Sequence, residues 1–345
     1  MTTAPRRAVH YGNRIGSEGG IASVLEVTSG LVVPGWSLAF VATYDQRTSA
    51  RGGRLLVRAV VRVLLDPAEV VHVHLSERGS FVREGLLVVL ARARRRGVVV
   101  TLHGSELEAF AAHRPGLVRG VLRCAHTVLA LSTASATAAR ALLPGRAVLV
   151  VPNPVVVPAV PPPLPGGSQV LFAGEQGRRK GLDVLLEAWP RVRRAVPAAE
   201  LVVVGAPADV IVGDRPGVRD LGLRTRAGVR ELLLGSRVCV LPSRFEVLPM
   251  FLLEAMSLGR PVVVTPVGGI PALVGDAGLV VPVEDVRALA DALVELLRDT
   301  RLAERLGGLG HGRVRDTSST QRVARALAEV YDEVSGMAGI GGRTR

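Results

Sequence analysis

The sequence predicts an α/β protein built as two doubly wound, Rossmann-like domains. Three observations carry this reading. Short β-rich runs alternate with helical patterns along nearly all of the 345 residues, which is the rhythm of βαβ units around parallel sheets. A single break rich in proline and glycine, VPAVPPPLPGG at 157–167, interrupts that rhythm near the middle. The chain also exceeds the size at which one core stops growing, so two domains of roughly 150–200 residues are expected.

The strand candidates of the first half are RAVHY (7–11), VVHVH (70–74), GVVVTLHG (97–104), TVLALS (127–132) and AVLVVPN (147–153). Those of the second half are QVLFAG (169–174), ELVVVGA (200–206), VCVLPS (238–243), PVVVTPVGG (261–269) and GLVVPV (278–283). Apolar residues make up 48% of the chain and aromatics only 3%, and the Val, Leu and Ala that dominate suit strands buried on both faces. The expected organisation is a first domain at 1–157, a linker at 158–167, a second domain at 168–320, and a C-terminal helix and tail at 321–345. That helix, QRVARALAEVYDEV (321–334), follows the last strand and is free to pack on either domain. Two such domains place a ligand in the cleft between them, because open parallel sheets bind at their carboxyl edges.

The net charge of +13 sits unevenly, with 19 arginines against 9 acids in residues 1–165 and 24 basic residues against 21 acids in the rest. Such a field suits nucleic acid, an anionic membrane or phosphorylated small molecules. Eleven aromatics and no recognisable binding module argue against nucleic acid. In GRLLVRAVVRVLLD, Arg54, Arg58 and Arg62 recur every four residues, an arginine stripe on a helix. It reads either as the solvated edge of a packed helix or as a contact for anionic lipid. Cys124 and Cys239 lie far apart in apolar surroundings, which favours buried reduced thiols over a disulfide or a metal site. With no apolar leader and no stretch of about 18 apolar residues, the expected place is the cytoplasm, with a peripheral position on the inner face of the plasma membrane as a further expectation.

The chemistry concentrates in two stretches. In RFEVLPMFLLEAMSLGRPVVVTPVGG (244–269), Glu246 lies in a loop after a strand and Glu254 follows eight residues later inside a helix. Strand, loop and helix start form an anion-binding corner, where backbone N–H groups of Val247, Leu248 and Met250 face a phosphate or sugar hydroxyl and Pro249 opens the helix. Glu254 is placed to bind the vicinal diol of a ribose. The plainer alternative makes both acids helix-start charges, although Glu254, set among Leu252, Leu253 and Met256, needs a partner. The second stretch is FAGEQGRRKG (172–181), which holds Lys180, the only lysine of the chain, among Arg178 and Arg179. A compact ammonium rather than another planar guanidinium suits a phosphate. SEGGIA (17–22) offers Gly19 and Gly20 for close backbone approach to a phosphate or acceptor. His72 and His74 alternate along one strand and are read as pointing to opposite faces, hence as structural or acceptor-side residues and not as one metal site.

These motifs resemble, in order, those of the retaining GT-B glycosyltransferases of family GT4. The E-x7-E pattern with EAM-x-x-G-x-PVV and GG is joined by FAGEQGRRKGLDVLLEAW, ELVVVG, VVPNPV (150–155), HLSERGSF and VVVTLHGSE, so the likeness spans roughly residues 8–335. The resemblance implies a GT-B fold with an acceptor-binding first domain, a donor-binding second domain and the C-terminal helix packing back across them. It implies transfer of a hexose-type residue, with retained configuration, from a UDP- or GDP-sugar to a saccharide or lipid-linked acceptor in cell-envelope or surface glycan synthesis. No metal and no cofactor beyond the nucleotide-sugar co-substrate is implied. Glu254 would bind the donor ribose, and Glu246 with the following residues to Met250 the donor sugar. Lys180, with Arg178, Arg179 and the Gly19–Gly20 turn, would take the diphosphate, whose charge develops as the glycosidic bond breaks. His103, at a strand end, matches the family histidine that faces the donor sugar. The departure is Glu175, where the family has arginine after the glycine. Arg178 is the expected replacement, with Glu175 turned outward or paired to it, while Val247 in place of glycine would narrow the sugar pocket. The alternatives are a nucleotide-sugar binding protein that has lost transfer and a nucleotide-sugar 2-epimerase.

Overall fold

The computed structural model describes residues 5–17, 19–45 and 52–340. The chain divides into two compact units, Met1–Pro154 with Thr320–Arg345, and Val155–Ser319.

The first unit alternates β1 (Arg6–Asn13), α1 (Gly20–Ser29), β2 (Trp36–Tyr44), α2 (Gly52–Leu65), β3 (Val70–Leu75), α3 (Gly79–Ala93), β4 (Gly97–Leu102), α4 (Leu107–His113), α5 (Pro115–Arg123), β5 (Thr127–Ala130), α6 (Thr133–Leu142) and β6 (Ala147–Val150). Its strands form one parallel sheet in the order β2-β1-β3-β4-β5-β6. Every residue of β3 and β4 is buried, as expected of apolar runs covered by helices on both faces. Alternation along the strands sends Val71, Val73, Val98 and Val100 into one core with α2 and α3. The opposite face receives Val70, Val99 and Leu129. The capping box of Ser132 and Ser135 starts α6 where the sequence leaves β5, satisfying donors that a helix start otherwise leaves open.

The second unit runs β7 (Gln169–Ala173), a turn of 3-10 helix at Arg178–Lys180, α7 (Leu182–Ala195), β8 (Glu200–Val204), β9 (Val218–Asp220), α8 (Arg226–Gly235), β10 (Val238–Leu241), α9 (Met250–Ser257), β11 (Val262–Val264), α10 (Ile270–Val274), β12 (Leu279–Val280), α11 (Val286–Arg298) and α12 (Thr300–Ser318). Its parallel sheet is ordered β12-β11-β10-β7-β8-β9. In each sheet the chain starts in the middle and winds both ways, so order reverses between β1 and β3 and between β7 and β10. Such reversal points open a crevice at the carboxyl ends of the strands, the place where ligands bind on open α/β sheets.

The chain then returns to the first unit as α13 (Thr320–Ile340). Val323, Leu327, Tyr331 and Val334 repeat at helical spacing and pack on the face of the first sheet that carries Val70 and Val99. The helix is longer than the 321–334 read from periodicity.

The proline-rich run at 158–167 has no regular structure but is not a free tether, because it is bound to the second unit. The buried Arg260 guanidinium donates to the carbonyls of Pro162 and Pro163. Arg237 donates to the Pro165 carbonyl at 3.2 Å, and His311 Nε2 to that of Pro158 at 2.9 Å. Proline carbonyls keep full acceptor strength while lacking an N–H to satisfy, so two arginines and a histidine suffice to strap the segment down. The chain passes between units at Pro154/Val155 and again at Ser319/Thr320.

Candidate active site

In the second unit, the loops that follow β7 and β10 flank the point of order reversal, and they carry the residues singled out in the sequence. Lys180 and Glu246, 66 positions apart, meet in a direct ion pair in which Nζ donates to Oε1. Ser243 Oγ donates to the same carboxylate oxygen at 2.9 Å. Both side chains are mostly buried, at 15% and 7% exposure. An ammonium so placed is held by a carboxylate until an anion competes for it.

Two glycines allow these loops to close on each other. Gly181 has φ 71°, and a Cβ there would stand 1.9 Å from the Pro242 carbonyl oxygen. Gly268 has φ 55°, with the Glu246 carbonyl oxygen 1.7 Å from a Cβ position, and Gly269 donates to the Val247 carbonyl at 2.9 Å. The GG that closes the long motif thus supports the backbone of the Glu246 loop, and only glycine fits this combination of left-handed φ and close approach.

Arg244 escaped the sequence reading although it joins the two loops. Its guanidinium bonds Asp183 in a two-pronged pair at 2.8 and 3.0 Å, reaches Glu284 at 2.8 Å, and donates to the Arg178 carbonyl. Its backbone N–H also donates to the Arg179 carbonyl at 2.9 Å. The Asp183 bond raises the pKa of the guanidinium further. Burial works to raise the Asp183 carboxyl, but the hydrogen bond and charge of Arg244 outweigh it and hold the group below its usual range. In a chain with 42 arginines no composition signal marks this one; its place next to Glu246 was the available cue.

Glu254 lies on α9, as expected, and its partner is Arg226 at the start of α8, Nε to Oε1 at 2.8 Å. Val247, Leu248 and Met250 have buried side chains, and Pro249 is the N-cap of α9. Of the two arrangements expected for Glu175, the structure has the outward one, and the pairing with Arg178 does not form. Glu175 is exposed and lies 3.6 Å from Arg179 Nε, which belongs to the 3-10 turn that follows. Arg178 is itself exposed, and its backbone N–H is fixed by Asp209 Oδ1 at 2.9 Å.

In the first unit, Gly19 is the N-cap of α1 with φ 103°, and Gly20 opens that helix; their neighbour Glu18 lies outside the described residues. His103 follows β4 at its carboxyl end, its N–H donating to the Leu75 carbonyl at 2.8 Å. His72 and His74 correct the sequence reading. Residues two apart on a strand share a face, and their rings stack with centroids 4.6 Å apart, alongside His10 on β1. One ring nitrogen from each of His10, His72 and His74 lies within 4.8 Å of the other two, a spacing open to a metal ion. All six ring nitrogens of these residues lie within hydrogen-bond distance of one another, Tyr331, Thr101 or His103. Burial pushes His10 down to about 3 and His103 to about 4, and lowers His72 and His74 as well. Cys239 is buried, but Cys124 is only half-buried and donates to the Gly120 carbonyl at 3.4 Å.

Two parallel sheets that each reverse their strand order, both covered by helices, are the two Rossmann-like halves of a GT-B fold. The chain belongs to the glycosyl transferases group 1 family, whose pattern matches residues 167–299. It is 31% identical over 287 residues to the phosphatidyl-myo-inositol mannosyltransferase of Mycobacterium leprae, covering 77% of this chain and 74% of that protein. Its fold is that of sucrose-phosphate synthase from Thermosynechococcus elongatus, with a TM-score of 0.76 at 18% identity over 96% of this chain and all (100%) of the other. It is also that of Anabaena HepE solved with UDP-glucose, with a TM-score of 0.73 at 18% identity over 94% of this chain and 99% of HepE.

Proposed function

We propose that the protein is a retaining, metal-independent glycosyltransferase that moves a hexose-type residue from a nucleoside diphosphate sugar to a lipid-linked or saccharide acceptor of the cell envelope. The single observation that carries this is the Lys180–Glu246 pair on the loops after β7 and β10. An incoming diphosphate takes over Lys180 as its counter-ion, and the released Glu246, still held by Ser243, becomes free to accept sugar hydroxyls. As the glycosidic bond breaks, the ammonium stabilises the leaving diphosphate more than the bound donor, which is the difference that speeds the step. Arg178 and Arg179 add to the field, and Glu254, oriented by Arg226, accepts the ribose hydroxyls. Gly19 and Gly20 at the start of α1, and His103, are the first unit's contribution.

The lipid-linked acceptor is supported by the likeness to a phosphatidylinositol-type mannosyltransferase and by the surface of α2 and α3. Arg54, Arg58 and Arg62 are exposed together with Val57, Val61 and Leu65 between them, and α3 exposes Val82, Leu86 and Val89. Cationic and apolar groups interleaved on one exposed helix face suit an anionic bilayer surface. Among the described residues no helix is long and apolar enough to cross a membrane. Sedimentation with liposomes containing about a third anionic lipid tests this. Binding should vanish when the anionic lipid is left out, and equal binding without it would refute the surface contact.

A thermal-shift screen across UDP- and GDP-sugars, followed by transfer assays in the presence and absence of chelator, tests the main reading. A nucleoside diphosphate sugar at about 100 times its Kd should stabilise the fold by about 2.7 kcal/mol and be turned over with the α-configuration kept. Binding without turnover on any acceptor extract would favour a sugar-nucleotide binding protein instead.

A further inference from the structure

Six side chains of the first unit form one unbroken hydrogen-bonded line. Thr101 Oγ1 meets His72 Nε2 at 2.7 Å, and His72 Nδ1 meets the Tyr331 hydroxyl at 2.7 Å. The same hydroxyl meets His10 Nε2 at 2.9 Å, and His10 Nδ1 meets His74 Nε2 at 3.0 Å. His74 Nδ1 then meets His103 Nε2 at 2.9 Å. The line runs along the α13 face of the sheet, across its reversal point between β1 and β3, and ends beyond the carboxyl end of β4. All members but His103 are buried.

A neutral imidazole donates from one nitrogen and accepts at the other. Every internal histidine uses both nitrogens in the line, so all the protons point the same way along it unless the buried Tyr331 oxygen accepts from both sides and leaves its own proton unbonded, which is costly. In one direction the Thr101 hydroxyl donates to His72, His72 Nδ1–H to Tyr331, Tyr331 to His10, His10 Nδ1–H to His74, and His74 Nδ1–H to His103 Nε2. His103 then carries its own proton on Nδ1. In the reverse direction Thr101 accepts from His72, and its hydroxyl proton, buried within β4, has no acceptor among the described residues. An unmade bond of that kind is costly in a buried site.

We propose that this line holds His103 in the Nδ1–H tautomer, so that it presents a hydrogen-bond donor to a ligand oxygen, with Thr101 and Tyr331 acting as positioning residues. The functional side of the inference rests on the reading of His103 as a donor-sugar contact. The line works only while it is uncharged, because an imidazolium donates from both nitrogens and breaks the single direction. Burial, which lowers the pKa of all four histidines, secures this at neutral pH.

The test is nitrogen-15 NMR of the histidine rings in the full chain at pH 7.5, with His103 assigned by its loss in His103→Gln. The Nδ1–H form of His103 should exceed the Nε2–H form on the order of tenfold. Thr101→Val keeps the size and branching of the side chain, and Tyr331→Phe keeps the ring; each should bring the ratio toward unity. A wild-type His103 protonated on Nε2 overturns the proposal, as does an unchanged ratio in a folded Thr101→Val protein. Turnover separates the two layers. Thr101→Val should lower kcat with UDP affinity unchanged, and unaltered kcat together with a changed ratio would overturn the positioning role. If His103→Gln retains full turnover, the donor-sugar reading of His103 fails, while the tautomer ratio still decides whether the line directs the proton.

Discussion

The two units, whose sheets differ in strand order but each reverse it once, place polar groups at their reversal points and treat them in opposite ways. At the reversal point of the first sheet, three histidines and a tyrosine are buried, uncharged and bonded to one another, with the half-buried His103 at the end of their line. At that of the second, a lysine, arginines and carboxylates stand in charged pairs on loops beyond the strand ends. The difference follows from depth. Groups within the strands pay the full cost of desolvation and stay neutral, whereas groups on loops keep enough solvent to remain ionised once paired. A neutral array can fix hydrogen-bond direction, and a charged one can trade its partners for a diphosphate.

The largest expected effect breaks the charged side. Lys180→Ala should reduce donor turnover by about 100- to 1000-fold, measured as kcat/KM for the nucleotide sugar, and cost about 1–3 kcal/mol in urea unfolding because the buried Glu246 loses its partner. Arg226→Ala should weaken UDP binding about tenfold by releasing Glu254 from its orientation, read by calorimetry. Arg244→Ala should cost about 2 kcal/mol in urea unfolding, since Asp183 loses a charged two-pronged partner, and should loosen both loops.

The neutral side answers to pH. The folded-state pKa values of His10 and His103, about 3 and about 4, lie below that of a free histidine. The unfolded chain therefore binds more protons in the interval between. Stability is full above pH of about 6.5 and falls as the pH drops toward 4. The groups facing this array are His10 of β1, Thr101 and His103 of β4 and its end, His72 and His74 of β3, and Tyr331 of α13. A urea series from pH 7.5 to 4.5 should show the fall, and a flat profile would contradict the buried neutral state. The smallest effect is expected at Glu175→Ala, less than about twofold in turnover, because its partner Arg179 is also half-exposed; a loss matching that of Lys180→Ala would give Glu175 a direct role.

The fold was legible where strands are central. The apolar runs of β3, β4, β8 and β10 announce themselves, while β2 and β9, both at sheet edges, were not read. Half-buried β2 mixes Ser, Thr and Ala into its pattern, and β9 has only three residues, two of them exposed. Lys180, Glu246 and Glu254 were legible because unusual residue types fall at motif spacing. Arg244 and Arg226 were not, because their roles depend on partners more than 20 residues away and arginine is everywhere in this chain. The histidine array was half visible: the His72–His74 alternation was seen, but its faces were assigned wrongly, and neither His10 nor Tyr331 can be joined to it without the strand order and the return of α13.

The central claim is that Lys180 and Glu246 act as one donor site. A double-mutant cycle on kcat/KM for the nucleotide sugar tests it most directly, using Lys180→Ala, Glu246→Ala and the double variant. The account predicts strong non-additivity, with the double variant no more impaired than the worse single and a coupling energy of about 1–3 kcal/mol. Losses that add to within about 0.5 kcal/mol would mean that the two residues serve separate ends, and would contradict it.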